Sequence, residues 1–261
     1  VEVELADRAR LATLPGVKAM YPVAVVQAPV PEISAGAAPD LAAAIAMTGA
    51  DIAQDSLGYT GAGIRVGVMD TGIDYHHPDL GGCFGAGCRV AAGWDFVGDA
   101  YNADPTSAAY NPVPVPDADP DDCNGHGTHV AGILGASGAI KGVAPGATLG
   151  AYRVFGCNGS TTGDIMLAAM ERALADGMQV LNMSISAPYQ WPQYPTARAA
   201  DRLVSKGVVV VGSFGNNGAN GLYSGGAPGL GDKVIATASF DNTFLSLNSF
   251  TISPSASSCE M

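Results

Sequence analysis

Residues 64–70, IRVGVMD, form an apolar run of strand length that closes on an aspartate. A strand with one solvated face alternates apolar and polar side chains, so a continuous run is expected where both faces are covered. Runs of the same kind recur downstream: TLGAYRVF at 148–155, QVLNMSI at 179–185, VVVVGS at 208–213 and KVIATASF at 233–240. Helical segments separate them. HVAGILGA (129–136) is one and residues 196–206 are another. Between these two, GDIMLAAMERALADG (163–177) has Asp164 near its start, Ile165, Ala168, Ala169 and Ala173 along its length, and Gly177 at its close. An acid at the first turn and a glycine after the last are favourable helix ends. Strands alternating with such helices predict an α/β fold: a doubly wound, mostly parallel sheet with helices on both faces, incomplete at the C-terminus.

The bulk numbers agree with a folded domain. Of 261 residues 48% are hydrophobic, enough for a sizeable core, and the 35 glycines and 17 prolines show no fibrous period. A net charge of −12 supplies no basic face for phosphates, so nucleic acid is excluded as a partner, and the acidic shell is read as a source of solubility. No apolar run approaches the ~20 residues of a membrane helix. Ahead of the first strand, ELADRARLATL (4–14) reads as a short helix, Pro15-Gly16 as a turn and VKAMYPVAVVQ (17–27) as extended chain. Residues 28–50, rich in Ala, Pro and Gly, read as a linker or processing region, and 98–123, crowded with Pro, Asp and Asn, as a surface loop. The chain opens on Val1 without a basic-then-apolar leader and closes on SPSASSCEM, so both ends read as cuts in a longer precursor. Five cysteines form no CxxC pair. Cys83 and Cys88 bracket the short loop FGAG, Cys123 and Cys157 are the next candidate pair, and Cys259 is left over. The alternatives are an oxidised, exported protein and five reduced thiols; the spacing favours the first.

In open α/β sheets ligands sit beyond the carboxyl ends of the strands. Asp70 ends the first run, His126 stands in NGHGTH ahead of a helix, Ser184 and Ile185 follow VLNM, and Gly215, Asn216 and Asn217 follow VVVVGS. Each has a plainer reading. Asp70 could cap a turn. His126 and His129 could bind zinc, although zinc helices use an i,i+4 pair with an intervening glutamate, which is missing here. Gly125 and Gly127 strip bulk from around His126, as a substrate cleft would require. His129 is expected to pack within its helix, His76 and His77 are assigned no chemistry, and Asn216 either forms a left-handed turn or donates its amide to an oxyanion.

The ordered series VGVMDTGIDYHHPDL, NGHGTHVAG, GVAPGA, VLNMS and SFGNNG resembles the subtilisin-like serine proteases over residues 60–240. The resemblance implies a serine endopeptidase of the peptidase S8 type acting on polypeptides, secreted, made as a zymogen and inhibited by its own propeptide. It implies that residues 1–27 end that propeptide, 28–50 link it, 51–245 begin the catalytic domain, and 246–261 enter an inserted protease-associated domain. Residue by residue, it makes Asp70 the orienting acid, His126 the general base, Asn216 the oxyanion donor, and Ser184-Ile185-Ser186 the strand that binds substrate. Asp79, in HPDL, matches a calcium ligand; no cofactor is required for the chemistry. Two departures stand out: Ser186 where the family has glycine, and Phe214 where it has a small residue. The family's nucleophile lies in a GTSMA-type turn heading a helix. No such run occurs in 1–261, and Ser213 and Ser224 are poor imitations, so the serine is expected beyond Met261 and this fragment is expected to be inactive. Tyr152 and Leu149 are candidates to shape a subsite. The competing readings are a non-catalytic peptide-binding module on the same scaffold, and a metal-dependent hydrolase using Asp70, Asp74, His76 and His126.

Overall fold

The computed structural model describes residues 5–29, 41–239, 249–252 and 257–260, the last two segments by their backbone. In chain order the regular elements are α1 (Arg8–Ala12), β1 (Val25–Gln27), α2 (Leu41–Thr48), β2 (Arg65–Asp70), β3 (Val90–Asp95), α3 (His126–Gly135), β4 (Thr148–Arg153) and β5 (Ser160–Thr162). They continue with α4 (Gly163–Ala175), β6 (Val180–Met183), α5 (Pro195–Ser205), β7 (Val209–Ser213), β8 (Ile235–Thr237), β9 (Ser249–Ile252) and β10 (Ser257–Glu260). Six strands form one sheet in the order β3-β4-β2-β6-β7-β8, and every ladder in it is parallel.

Strand periodicity sorts the core into two layers. Val66 and Val68 of β2 lie in one apolar cluster with Leu149 and Ala151 of β4 and Ala131 of α3. Met69 and Tyr152, of the opposite parity, join Met166 and Met170 of α4 and Ala200 and Leu203 of α5 in the other. Successive side chains of a strand point to opposite faces, so Asp70 shares the α3 face with Val66 and Val68. The carboxylate is therefore aimed at α3 by its position in β2 alone. The doubly wound α/β arrangement read from the sequence is the one observed.

Several boundaries differ from the sequence reading. α3 begins at His126, three residues before the apolar run that predicted it, because side-chain caps ahead of it extend the first turn. α2 occupies part of the expected linker 28–50, where an alanine-rich stretch is a good helix former; residues 30–40 lie outside those described. Edge strand β3 and the short β5 were not predicted. The 98–123 loop is pinned rather than free: Val97, Tyr101 and Ala103 form a small buried cluster, and bridges join Asp95 to Asp117 and Asn102 to Asn111. Both expected disulfides form, Cys83–Cys88 and Cys123–Cys157, while the Cys259 side chain and much of the expected 246–261 segment fall outside the described residues. Among the described residues no helix is long and apolar enough to cross a membrane.

Candidate active site

Asp70 hangs from the carboxyl end of the central strand β2 and is fully buried; His126 is the first residue of α3, its side chain 18% exposed. The two meet at 2.7 Å between Asp70 Oδ1 and His126 Nδ1. The same Oδ1 accepts the Thr71 N–H at 2.8 Å, and Oδ2 is buried without a hydrogen-bond partner. Burial pushes the Asp70 carboxyl above its usual range, opposed by the hydrogen bond and charge of His126. Burial alone would lower the imidazole, but the Asp70 hydrogen bond and the negative charges of Asp70 and Asp122 outweigh it, and the His126 pKa is raised. A carboxylate at Nδ1 fixes the tautomer with its proton on that nitrogen and leaves Nε2 bare.

The glycines around His126 serve the protein's own packing rather than an approaching substrate, which corrects the sequence reading. Gly125 is the N-cap of α3 at φ 103°, a left-handed conformation that side chains disfavour. A Cβ on Gly127 would overlap the Gly72 carbonyl and lie 3.1 Å from Asp70 Cβ. The Gly127 N–H donates to Thr71 Oγ1 at 2.8 Å, so the first turn of α3 is seated directly on the turn after β2.

Sequence reasoning missed Asp122. Its Oδ1 accepts the N–H groups of Asn124 (2.9 Å) and Gly125 (3.0 Å), and its Oδ2 accepts the Thr128 N–H (2.9 Å) and hydroxyl (2.6 Å). Burial raises this carboxyl, but its four donors prevail and hold its pKa below the ordinary value. The signal was present: an acid six residues before Thr128, ahead of a helix whose first N–H groups need partners. Arg153 was missed as well. Buried within β4, it pairs with Asp95 at 3.1 Å and Asp99 at 2.8 Å and donates to the Asp121 carbonyl at 3.2 Å and to Cys123 Sγ at 3.0 Å. With the Cys123–Cys157 disulfide it fastens the segment leading into His126.

The remaining expected residues divide. Asn216 is exposed in the turn after β7. It stands at the same sheet end as Asp70, and β7 is two strands from β2, about 10 Å across the sheet. Ser184 and Ser186 are half-buried, Ile185 is buried in the core, and the three lie between β6 and the Ala187–Ala227 bridge, outside any ladder. Ser186 Oγ is buried without a partner. Phe214 is 40% exposed and its ring covers Gly225. Tyr152 and Leu149 shape no subsite: both are fully buried in the two core layers, and the Tyr152 hydroxyl donates to Asp176 at 3.0 Å. His129 is exposed rather than packed, because position 129 faces away from the sheet. Ser224 donates to the Gly221 carbonyl at 2.8 Å and Ser213 accepts the Gly215 N–H at 3.1 Å; among the described residues no serine hydroxyl bonds His126.

Metal readings find little purchase. Asp79 accepts the N–H groups of Ala139 (3.0 Å) and Ile140 (2.9 Å), one on each oxygen, which hold its pKa below the usual range. Calcium takes six to eight oxygens, whereas this carboxylate is ringed by N–H donors, so the donor set does not fit the ion. Nor do Asp70, Asp74, His76 and His126 converge: among the described residues the acidic, imidazole and thiol atoms that cluster are those of Asp99, Cys123 and Cys157, and both sulfurs are in the disulfide.

A buried acid on a central parallel strand, gripping the imidazole that opens the next helix, is the arrangement the sequence motifs anticipate. The family model described as "Subtilase family" matches residues 61–259. The chain belongs to the subtilase family. Among curated relatives of this subtilase, the Minor extracellular protease Vpr of Bacillus subtilis is 43% identical over 205 residues, covering 78% of this chain and 23% of that protein. Subtilisin DY of Bacillus licheniformis is 35% identical over 190 residues, 71% of this chain and 59% of its own length. Subtilisin E of Bacillus subtilis is 34% identical over 192 residues, 72% of this chain and 44% of its own. The subtilase described here thus spans from 23% to 59% of the length of these relatives.

Proposed function

We propose that this subtilase supplies the acid and the base of a serine endopeptidase that hydrolyses polypeptides. The observation that carries the reading is the 2.7 Å contact between Asp70 and His126. A serine hydroxyl is a weak nucleophile near neutral pH, and an imidazole that accepts its proton activates it. Asp70 holds the Nδ1 proton and stabilises the imidazolium that forms; Nε2 takes the proton from serine and later delivers it to the leaving amine. The nucleophile is a serine outside residues 1–261, so these residues alone hydrolyse nothing. The exposed amide of Asn216 donates to the oxyanion that develops on the scissile carbonyl, and residues 184–186 run beside the substrate backbone.

Residues 1–27 act as the end of an inhibitory propeptide. Supporting this, β1 lies antiparallel to β5, as a bound peptide strand would, and the Tyr194 hydroxyl accepts the Ala24 N–H at 3.1 Å and donates to the Pro22 carbonyl at 3.2 Å. The protein is secreted, in keeping with its two disulfides and with the extracellular protease among its relatives.

Full-length protein should be labelled by a fluorophosphonate, and His126→Ala should abolish the labelling. Labelling that survives His126→Ala would remove His126 as the base. A wild-type protein that binds peptides without being labelled would instead make the scaffold a non-catalytic peptide-binding module.

A further inference from the structure

The β1–β5 ladder stands apart from the six-stranded sheet. It sets Val25 opposite Thr162, Val26 opposite Thr161 and Gln27 opposite Ser160, and the Ala28 N–H continues it to the Gly159 carbonyl at 3.2 Å. Without β1, β5 would present an open edge, and an extended peptide can pair with such an edge in the same way. Alternate side chains of β1 face opposite ways. Val26 is buried in the core cluster; Gln27 turns outward, and its Nε2 donates to Asp104 Oδ2 at 2.9 Å.

Asp104 is built into the rim of β5. Its N–H donates to Asn102 Oδ1 at 3.0 Å, and that oxygen also accepts the Ser160 hydroxyl at 2.9 Å. The neighbouring Ala103 N–H donates to the Ser160 carbonyl at 3.3 Å. Asp104 Oδ1 is taken by the Thr106 hydroxyl at 2.7 Å and N–H at 2.9 Å, which leaves Oδ2 for whatever side chain lies opposite Ser160. The Thr106 donors, with Gln27, hold the Asp104 carboxyl below its ordinary pKa, so the group is an anionic acceptor at neutral pH.

We infer that Asp104 is a specificity-determining residue that selects, in a polypeptide bound along β5, a side chain carrying an N–H donor at the position opposite Ser160, arginine foremost. The inference rests on the endopeptidase reading and on β1 occupying a substrate's place. Arginine Nε lies the same number of bonds from Cα as glutamine Nε2, so it reaches Oδ2 with the same backbone register and adds a positive charge. Lysine reaches one bond further with a single ammonium. Glutamate offers no donor and meets a like charge.

The test uses the full-length protein hydrolysing labelled casein, with the octapeptide of residues 22–29, PVAVVQAP, and versions carrying Arg, Ala or Glu in place of Gln27 as competitors. The arginine peptide should inhibit best, with a Ki roughly three- to five-fold below that of the alanine peptide, the range of a partly exposed ion pair; the glutamate peptide should inhibit least. Asp104→Asn should flatten the series, and Asp104→Lys should invert it in favour of glutamate, each read as the ratio of Ki values among the four peptides within one variant. Casein hydrolysis with equal inhibition by all four peptides, or with a ranking that Asp104→Lys leaves unchanged, overturns the role of Asp104. Failure of the wild-type protein to hydrolyse casein or to take a fluorophosphonate label overturns the endopeptidase reading itself.

Discussion

Asp122→Ala removes one carboxylate that serves four donors at the entrance to α3: the N–H groups of Asn124, Gly125 and Thr128 and the Thr128 hydroxyl. Losing a helix cap costs about 0.5–2 kcal/mol, and hydrogen bonds to a charged acceptor contribute about 1.5–3 kcal/mol where they are not fully solvated. The donors here overlap in function and water can reach part of the site, so a total of about 3 kcal/mol is expected. For a domain of this size that is a fall in Tm on the order of 8–10 °C. The pH dependence follows from the depressed Asp122 pKa. A carboxyl whose folded pKa lies below its unfolded value stabilises the fold above that unfolded value, about 3.9, and the contribution is lost as pH falls through the folded pKa. The gap between wild type and Asp122→Ala, followed by near-UV circular dichroism, should therefore be full at pH 7 and close in strong acid. Because Asp122 also raises the His126 pKa, the same variant should shift the imidazole titration downward in an NMR experiment. Equal melting temperatures at pH 7, or a gap that persists undiminished to pH 2, would refute the capping argument.

Three further outcomes are expected. If His126 is the base as proposed, it must be neutral to act, and because its pKa is raised the acidic limb of the full-length protein's pH–rate profile should lie above the ordinary imidazole value near 6.5; activity should rise as pH passes through that limb, and a limb below 6 would contradict the proposal. Gly127→Ala forces a methyl group onto the Gly72 carbonyl, so it should cost about 1–3 kcal/mol in stability and, by displacing His126, about 10²-fold in kcat with KM little changed. Chain-entropy reasoning gives about 4 kcal/mol for the Cys123–Cys157 bridge at a sequence separation of 34 and about 2 kcal/mol for Cys83–Cys88 at 5; double Cys→Ser variants should melt in that order, and the reverse order would show that loop size does not set their effect.

The parallel sheet was legible because covered strands are written as unbroken apolar runs, and Asp70 and His126 were legible because each stands where such a sheet ends. What escaped notice was carried by single polar residues inside or beside apolar stretches. Arg153 sits in TLGAYRVF without any period to announce the three aspartate-bearing segments it ties together. β5 is three residues long and takes its conformation from β1, some 135 residues earlier, which no local pattern encodes. Gly127 carried two meanings, open space or close approach, and only the proximity of Gly72 decides between them. The expectation that His129 packs within its helix fails because the buried side of α3 is taken by Gly127 and Ala131, which leaves position 129 facing outward.

The acid and the base are 56 positions apart in sequence yet touch through two short supports, the end of β2 and the first turn of α3. Whatever lies between is a detour that leaves and returns to the same place. Insertions and deletions in the exposed stretches of the intervening loops can therefore accumulate during evolution without moving the pair, provided the turn at Thr71-Gly72, the clamp at Asp122 and the ties to Arg153 and Cys157 survive. Lineages descended from such a scaffold can remodel what they recognise while the chemistry stands still.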